Sequence, residues 1–192
     1  MSDQPGTSDE ELLRLAREAP EGDTRPFEEL VRRHQRGVVT NCVYLSGSPT
    51  DSEDLAQEVF VKAYFGLARF EGRATFKTWL HKIKANHCIN FVKKKRLRTV
   101  DVASSAIESV ASPEPTAERE VDQGADRARI ESVLLEMSET LRVPLVLRDM
   151  DGMAYEDIAD QLGIGLSAVK MRIKRGREEF RRLYSSEPPS PG

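Results

Sequence analysis

Apolar residues recur along this chain at the three-and-four spacing of α-helices and nowhere alternate as strands require, so an all-α fold is predicted. The first periodic stretch, SDEELLRLARE, predicts a short helix with Ser8 or Asp9 as its N-cap. A second starts at Pro26, acceptable at a first helical position, and runs through FEELVRRHQRGVVTNCVYLSG with Phe27, Leu30, Val31, His34, Val38 and Cys42 as its apolar side. After the breaker SGSPT comes a third, DSEDLAQEVFVKAYFGLARF, whose acids crowd the end that the helix dipole favours. Leu55, Val59, Ala63 and Leu67 line its buried side, widened by Phe60 and Tyr64, and Asp54, Gln57, Glu58 and Lys62 face away. FEGRAT is a turn, and beyond it Phe76, Leu80 and Ile83 fall at i, i+4 and i+7 of a fourth helix. Short connections between them predict a compact bundle over residues 24–98, preceded by an acidic segment, 1–23, that carries the first helix.

The last third is helical again. Arg127 to Met137 reads as one helix and Thr140 to Met150 as another, with Pro144 tolerable only in its first turn. MAYEDIADQLGIGLSAVKMRIKRGREEFRRLY then has the marks of a helix-turn-helix. Ala159 is small where two helices cross, Gly163 falls at the turn, and Val169 sits at a core position; Ile158, Leu162, Ile164, Val169 and Ile173 fill the wedge, and Ser167 can cap the second helix. This second helical domain spans 127–184, and SSEPPSPG, from 185 to 192, reads as a disordered tail. Between the domains, residues 99–126 hold Asp101, Glu108, Glu114, Glu118, Glu120, Asp122 and Asp126 against Arg119 alone, with Pro, Ser and Ala between them: a flexible, self-repelling acidic linker.

Charge segregation changes the picture from fold to partner. Between Gly72 and Val100 there is no acid, while Arg73, Lys77, Lys82, Lys84, Lys93, Lys94, Lys95, Arg96 and Arg98 are cationic; +9 here within −3 overall leaves −12 for the remainder. Trp79, Lys82, Asn86, Asn90 and Lys93 line up on one stripe of that helix. Cations can follow phosphates, amides can read base edges, and rings can stack on unpaired bases. The final helix presents Lys170, Arg172, Lys174, Arg175, Arg177, Arg181 and Arg182 against Glu178 and Glu179, the shape and charge that suit a major groove. Opening a base-pair step costs about 1.4 kcal/mol, and capturing an unpaired base on an aromatic surface returns ~1–3 kcal/mol. A chain with both surfaces can hold a short bubble, but a larger partner must supply the rest.

Two cysteines, Cys42 and Cys88, are too few for a disulfide framework, and with no secretory signal or long apolar run the expected compartment is the cytosol, without membrane contact. His81, His87 and Cys88 lack metal-ligand spacing, so neither metal nor cofactor is expected. An enzyme such as a serine recombinase would need a nucleophile on a strand-rich catalytic domain, which this pattern does not offer. An operator-binding regulator would dimerise and bind its site unaided.

DSEDLAQEVFVKAYFGLARFEGRATFKTWLHKIKANHCINFVKKKRLR resembles the second conserved region of bacterial sigma factors of the extracytoplasmic-function group, in the sigma-70 family. LRVPLVLRDMDGMAYEDIADQLGIGLSAVKMRIKRGREEFRRL resembles their fourth region. The resemblance implies a non-enzymatic transcription initiation factor that joins core RNA polymerase and directs it to promoters of a dedicated regulon. It implies that Asp54, Gln57 and Glu58 dock on the coiled coil of the polymerase clamp. It implies that Arg73, Lys77, Trp79, Asn86 and Asn90, with Lys93, Lys94 and Arg96 on adjacent phosphates, engage the minus-ten element as single strand. Ser167, Lys170, Met171, Arg172, Lys174 and Arg175 would meet the minus-thirty-five duplex, upstream helices of the same domain would touch the polymerase flap, and an anti-sigma factor would be the regulator. Met171 departs from the small polar residue many relatives carry there, which bears on base preference. A relaxed coil of the linker's length averages about 30 Å, against roughly 70 Å between promoter elements two duplex turns apart, so the linker would be pulled nearly straight, threading a channel of the polymerase.

Overall fold

A computed structural model describes residues 7–102 and 123–186, all of whose regular structure is helical. The elements are α1 (Asp9–Glu18), α2 (Arg25–Ser46), α3 (Ser52–Gly66) with a 3-10 turn at Leu67–Arg69, α4 (Phe76–Val102), α5 (Gln123–Glu136), α6 (Glu139–Asp149), α7 (Tyr155–Leu162) and α8 (Leu166–Ser185). The acidic linker lies mostly outside the described residues; its two expected ends differ, because α4 continues through Val102 and α5 already begins at Gln123.

Local rules account for most boundaries. The Ser8 hydroxyl accepts the Glu11 N–H at 3.2 Å, and Asp9, Glu10 and Glu11 sit in the first turn of α1. Pro26 falls in the first turn of α2, where no intrahelical donor is lost. That helix ends on Gly47 at φ 68°, whose N–H returns to the Val43 carbonyl. Gly163, at φ 67°, closes α7 in the same way and makes the sharp turn into α8.

Two sequence expectations fail here for identifiable reasons. Ser167 does not cap α8, which begins one residue earlier at Leu166 after an extended Gly165; the serine lies inside the first turn, exposed. Pro144 is not in the first turn of α6 but within it. The Thr140 carbonyl therefore loses its helical donor, and because Thr140 is exposed water can take the bond.

Packing centres on α2, which touches α1, α3 and α4 and also α5 and α6 of the second unit. Leu30, Leu45, Val59, Phe76 and Leu80 are fully enclosed in the first unit, and Val146, Leu147, Ile158, Val169 and Ile173 in the second. The buried apolar residues form one continuous cluster across both units. Cys42 on α2 and Cys88 on α4 are buried inside it as free thiols, their sulfurs 3.6 Å apart. No helix among the described residues is long and apolar enough to cross a membrane.

Candidate nucleic-acid and docking surfaces

Asp54, Gln57 and Glu58 stand exposed on one face of α3, since Leu55, Ala56 and Val59 occupy the buried face one-third of a turn away. The same exposed face runs on to Val61 and Phe65, the latter 77% accessible. Tyr64 also lies outside, 41% accessible, where the sequence placed it with the core; its ring meets Phe27 edge-on, ring centres 5.2 Å apart. Glu58 lies 3.7 Å from Lys62 and 3.2 Å from His87 Nε2 on α4, the latter without hydrogen-bond geometry. Burial, and then the Lys62 charge, hold the His87 imidazole below its ordinary pKa against the opposing pull of Glu58.

The turn before α4 delivers the second surface. Thr75 Oγ1 accepts the Thr78 N–H at 3.2 Å and fixes the first turn of α4, leaving Arg73 and Lys77 exposed; Arg73 is held by Glu71 at 2.8 Å. Trp79 is half-buried: its ring centre lies 5.0 Å from Phe70 and 6.0 Å from Phe76, and its edge rests on Gly66, where a Cβ would come within 3.0 Å. Beyond it Asn86, Asn90, Lys93, Lys94 and Arg96 are all exposed. An open cleft lies between α1 and the 70–76 segment, lined by Leu13, Arg17, Phe70, Gly72, Ala74 and Phe76 among others.

One cation expected in this basic run is not on the surface. Lys84 is fully buried, its Nζ 2.7 Å from Oδ1 of Asp151 in the turn between α6 and α7. A sequence signal did exist: Phe76, Leu80, Lys84 and Cys88 follow at steps of four, and all four are enclosed. His81, from the same side, lies 3.4 Å from the Asp151 carboxylate. Burial first, then Lys84, lowers its pKa, and Asp151 opposes them.

The third surface is α8. Val169, Ile173 and Gly176 turn inward, so Ser167, Lys170, Met171, Lys174 and Arg175 stand outward and Arg172 is half-exposed. None of Lys170, Arg172, Lys174 and Arg175 has an acidic partner among the described residues. Arg177 differs, because Asp149 holds its guanidinium with Nε 2.8 Å from Oδ2, and the pair braces α8 against α6.

Two family models match the chain, one described as Sigma-70 region 2 over residues 30–98 and one as Sigma-70, region 4 over residues 127–180. The chain is 30% identical over 180 residues to the RNA polymerase sigma-H factor of Pseudomonas aeruginosa, covering 88% of this chain and 91% of that protein. It is also 30% identical over 155 residues to the ECF RNA polymerase sigma factor SigE of Mycolicibacterium smegmatis, covering 81% of this chain but spanning only 60% of that protein's length. Among solved structures, the sigma factor RpoE bound to the anti-sigma factor NepR from Bartonella quintana superimposes with a TM-score of 0.59 at 25% identity, over 85% of this chain and 99% of that one.

Proposed function

This chain belongs to the extracytoplasmic-function group of the sigma-70 family, and from that premise we propose how its exposed side chains divide the work of starting transcription. Asp54, Gln57 and Glu58 dock on the clamp coiled coil of core RNA polymerase, with Val61 and Phe65 adding apolar area to the same contact. Arg73, Lys77, Asn86, Asn90, Lys93, Lys94 and Arg96 hold the separated strand of the minus-ten element, cations on phosphates and amides on base edges. The cleft beside Phe70, Gly72 and Ala74 takes an extruded base. Trp79 acts as the brace of that loop, its ring being engaged with Phe70, Phe76 and Gly66. Ser167, Lys170, Met171, Arg172, Lys174 and Arg175 lie in the major groove of the minus-thirty-five element, and the second unit's upstream helices meet the polymerase flap. An anti-sigma factor is the regulator, a reading supported by the Bartonella sigma factor's solved complex with one. The chain contributes binding and positioning, with no cofactor and no chemistry of its own, and acts in the cytoplasm where the polymerase is.

The observation that carries this reading is that one chain exposes two different nucleic-acid faces: amides interleaved with cations on α4, and unpaired cations on α8 after a helix-turn-helix. Gel-shift of promoter fragments with and without core polymerase tests it, followed by run-off transcription on a genomic fragment library. Specific shifts and transcripts are expected only with core present; a specific, dimeric shift by the chain alone would instead establish an operator-binding regulator.

Lys170→Ala and Arg175→Ala are each expected to weaken holoenzyme binding to its promoter by about 10-fold, with a contact to phosphate lowering the salt slope by about one and a contact to a base lowering discrimination instead. Assembly with core polymerase is expected to be unchanged, and titration at several salt concentrations separates the two contact types.

A further inference from the structure

We propose that Cys42 and Cys88 form a modification site, where a peroxide converts the two thiols to a disulfide that ties α2 to α4 inside the first unit. They are the only cysteines of the chain, they stand 46 residues apart in sequence, and their sulfurs already lie 3.6 Å apart. A disulfide needs about 2.05 Å, so the sulfurs must close by about 1.5 Å, which small side-chain rotations can supply. Both side chains are fully enclosed, which shields either sulfur from thiols of other molecules and leaves each the other as its partner.

The pair is not symmetric. The Cys88 thiol donates to Cys42, and that bond holds Cys42 below its ordinary pKa against burial; the Lys84 ammonium adds to the effect and the Asp151 carboxylate opposes it. Cys88 is pushed the other way, by the same bond and by burial. Lys84 stands one turn before Cys88 on α4 and is itself fully enclosed, its Nζ 2.7 Å from Asp151. Asn41, next to Cys42 in the chain, donates to the same carboxylate oxygen at 3.3 Å, so thiols, ammonium, carboxylate and amide share one buried polar site. Asp151 Oδ2 and Asn41 Oδ1 are buried there without a hydrogen-bond partner among the described residues, and both can accept from the O–H groups of a peroxide. A cysteine in a purely apolar pocket is inert, whereas a thiol with a donor and a cation beside it is a nucleophile.

The reaction runs in two steps. The Cys42 thiolate attacks one peroxide oxygen and the O–O bond breaks; Cys42 becomes a sulfenic acid, and the other oxygen leaves as hydroxide, which takes up the proton Cys42 gave and becomes water. The Cys88 sulfur then attacks the Cys42 sulfur, the S–O bond breaks, and the oxygen leaves with the Cys88 proton as a second water. Each thiol gives up one proton and one electron, and the peroxide takes both electrons. Closing a loop of this length removes freedom from the unfolded chain, so the bridged unit opens less often than the reduced one. Where thiols are kept reduced such a bond is transient, lasting only while oxidant is present.

Hydrogen peroxide added to the full chain tests this with neither DNA nor polymerase present, so the result stands apart from the roles assigned to α3, α4 and α8. The expected product is a monomer lighter by two hydrogen atoms, whose cysteines no longer alkylate in denaturant. Its thermal transition is expected about 5–10 °C higher and amide exchange in α2 and α4 about 10-fold slower, both reversed by dithiothreitol. Thiols that stay free, covalent dimers, or sulfinic acid in place of a bridge would overturn the proposal. So would a bridged chain that unfolds no later than the reduced one. Cys88→Ala is expected to leave a sulfenic acid on Cys42 that a cyclic 1,3-diketone traps, and Cys42→Ala to leave Cys88 unreacted; the opposite pattern would overturn the assignment of Cys42 as the nucleophile. If either variant loses its helicity, oxidation of the native chain decides alone.

Discussion

Glu58→Lys is expected to weaken assembly with core RNA polymerase by about 10- to 100-fold, because it reverses the central charge of the docking face while removing no packed side chain. The Glu58 side chain is 61% exposed and its neighbours Asp54 and Gln57 share its face, and the proposed docking sets this acidic and amide surface against a basic one. The substitution also sets the new ammonium against Lys62 one turn on and beside His87, a like-charge cluster that costs the helix only about 0.2–0.5 kcal/mol. Thermal stability should therefore hardly move while the polymerase affinity falls. Glu58→Gln is the matched control, with a smaller loss. Holoenzyme formation measured by fluorescence anisotropy against core concentration reads the effect directly, and a normal isotherm for the lysine variant would remove Glu58 from the docking surface.

Asn86→Ala is expected to reduce open-complex formation by about 10- to 100-fold, the range set by an amide's two hydrogen bonds to a base edge. Asn86 is exposed on α4 and its side chain bonds to none of the described residues, so its loss leaves the fold intact and core affinity within about 2-fold. The rate of open-complex formation, followed by permanganate reactivity of the melted bases, should fall while assembly proceeds normally; the converse pattern would move Asn86 from strand capture to docking. Trp79 cannot serve this test, since removing its ring takes away the support of Phe70, Phe76 and the loop between them. A slow opening rate in that variant would mix lost contacts with a displaced loop.

Much of this was legible in the residues themselves. Three-and-four spacing located the helices of the described residues, Gly47 and Gly163 ended two of them by backbone conformation, and the Ala159, Gly163, Val169 pattern marked the helix-turn-helix. The outward faces of α3, α4 and α8 followed as well, because exposure on an amphipathic helix is the complement of its apolar stripe. The misplaced residues have separate causes: Tyr64 sits near the end of α3, where few neighbours remain to cover it, and Ser167 lies beyond a glycine that opens the helix earlier than the polar pattern suggests.

Which side of each helix avoids water can be read from the order of residues alone, because periodicity is a local property fixed by 3.6 residues per turn. That order could not say what covers that side. Long-range packing settled that Lys84, one of nine cations in a solvated-looking run, is enclosed at 2.7 Å from Asp151, and that the two helical units share a core instead of hanging on a linker. Burial of a charge depends on a partner brought in from 67 residues away, and no local pattern carries the identity of a group that packing alone delivers.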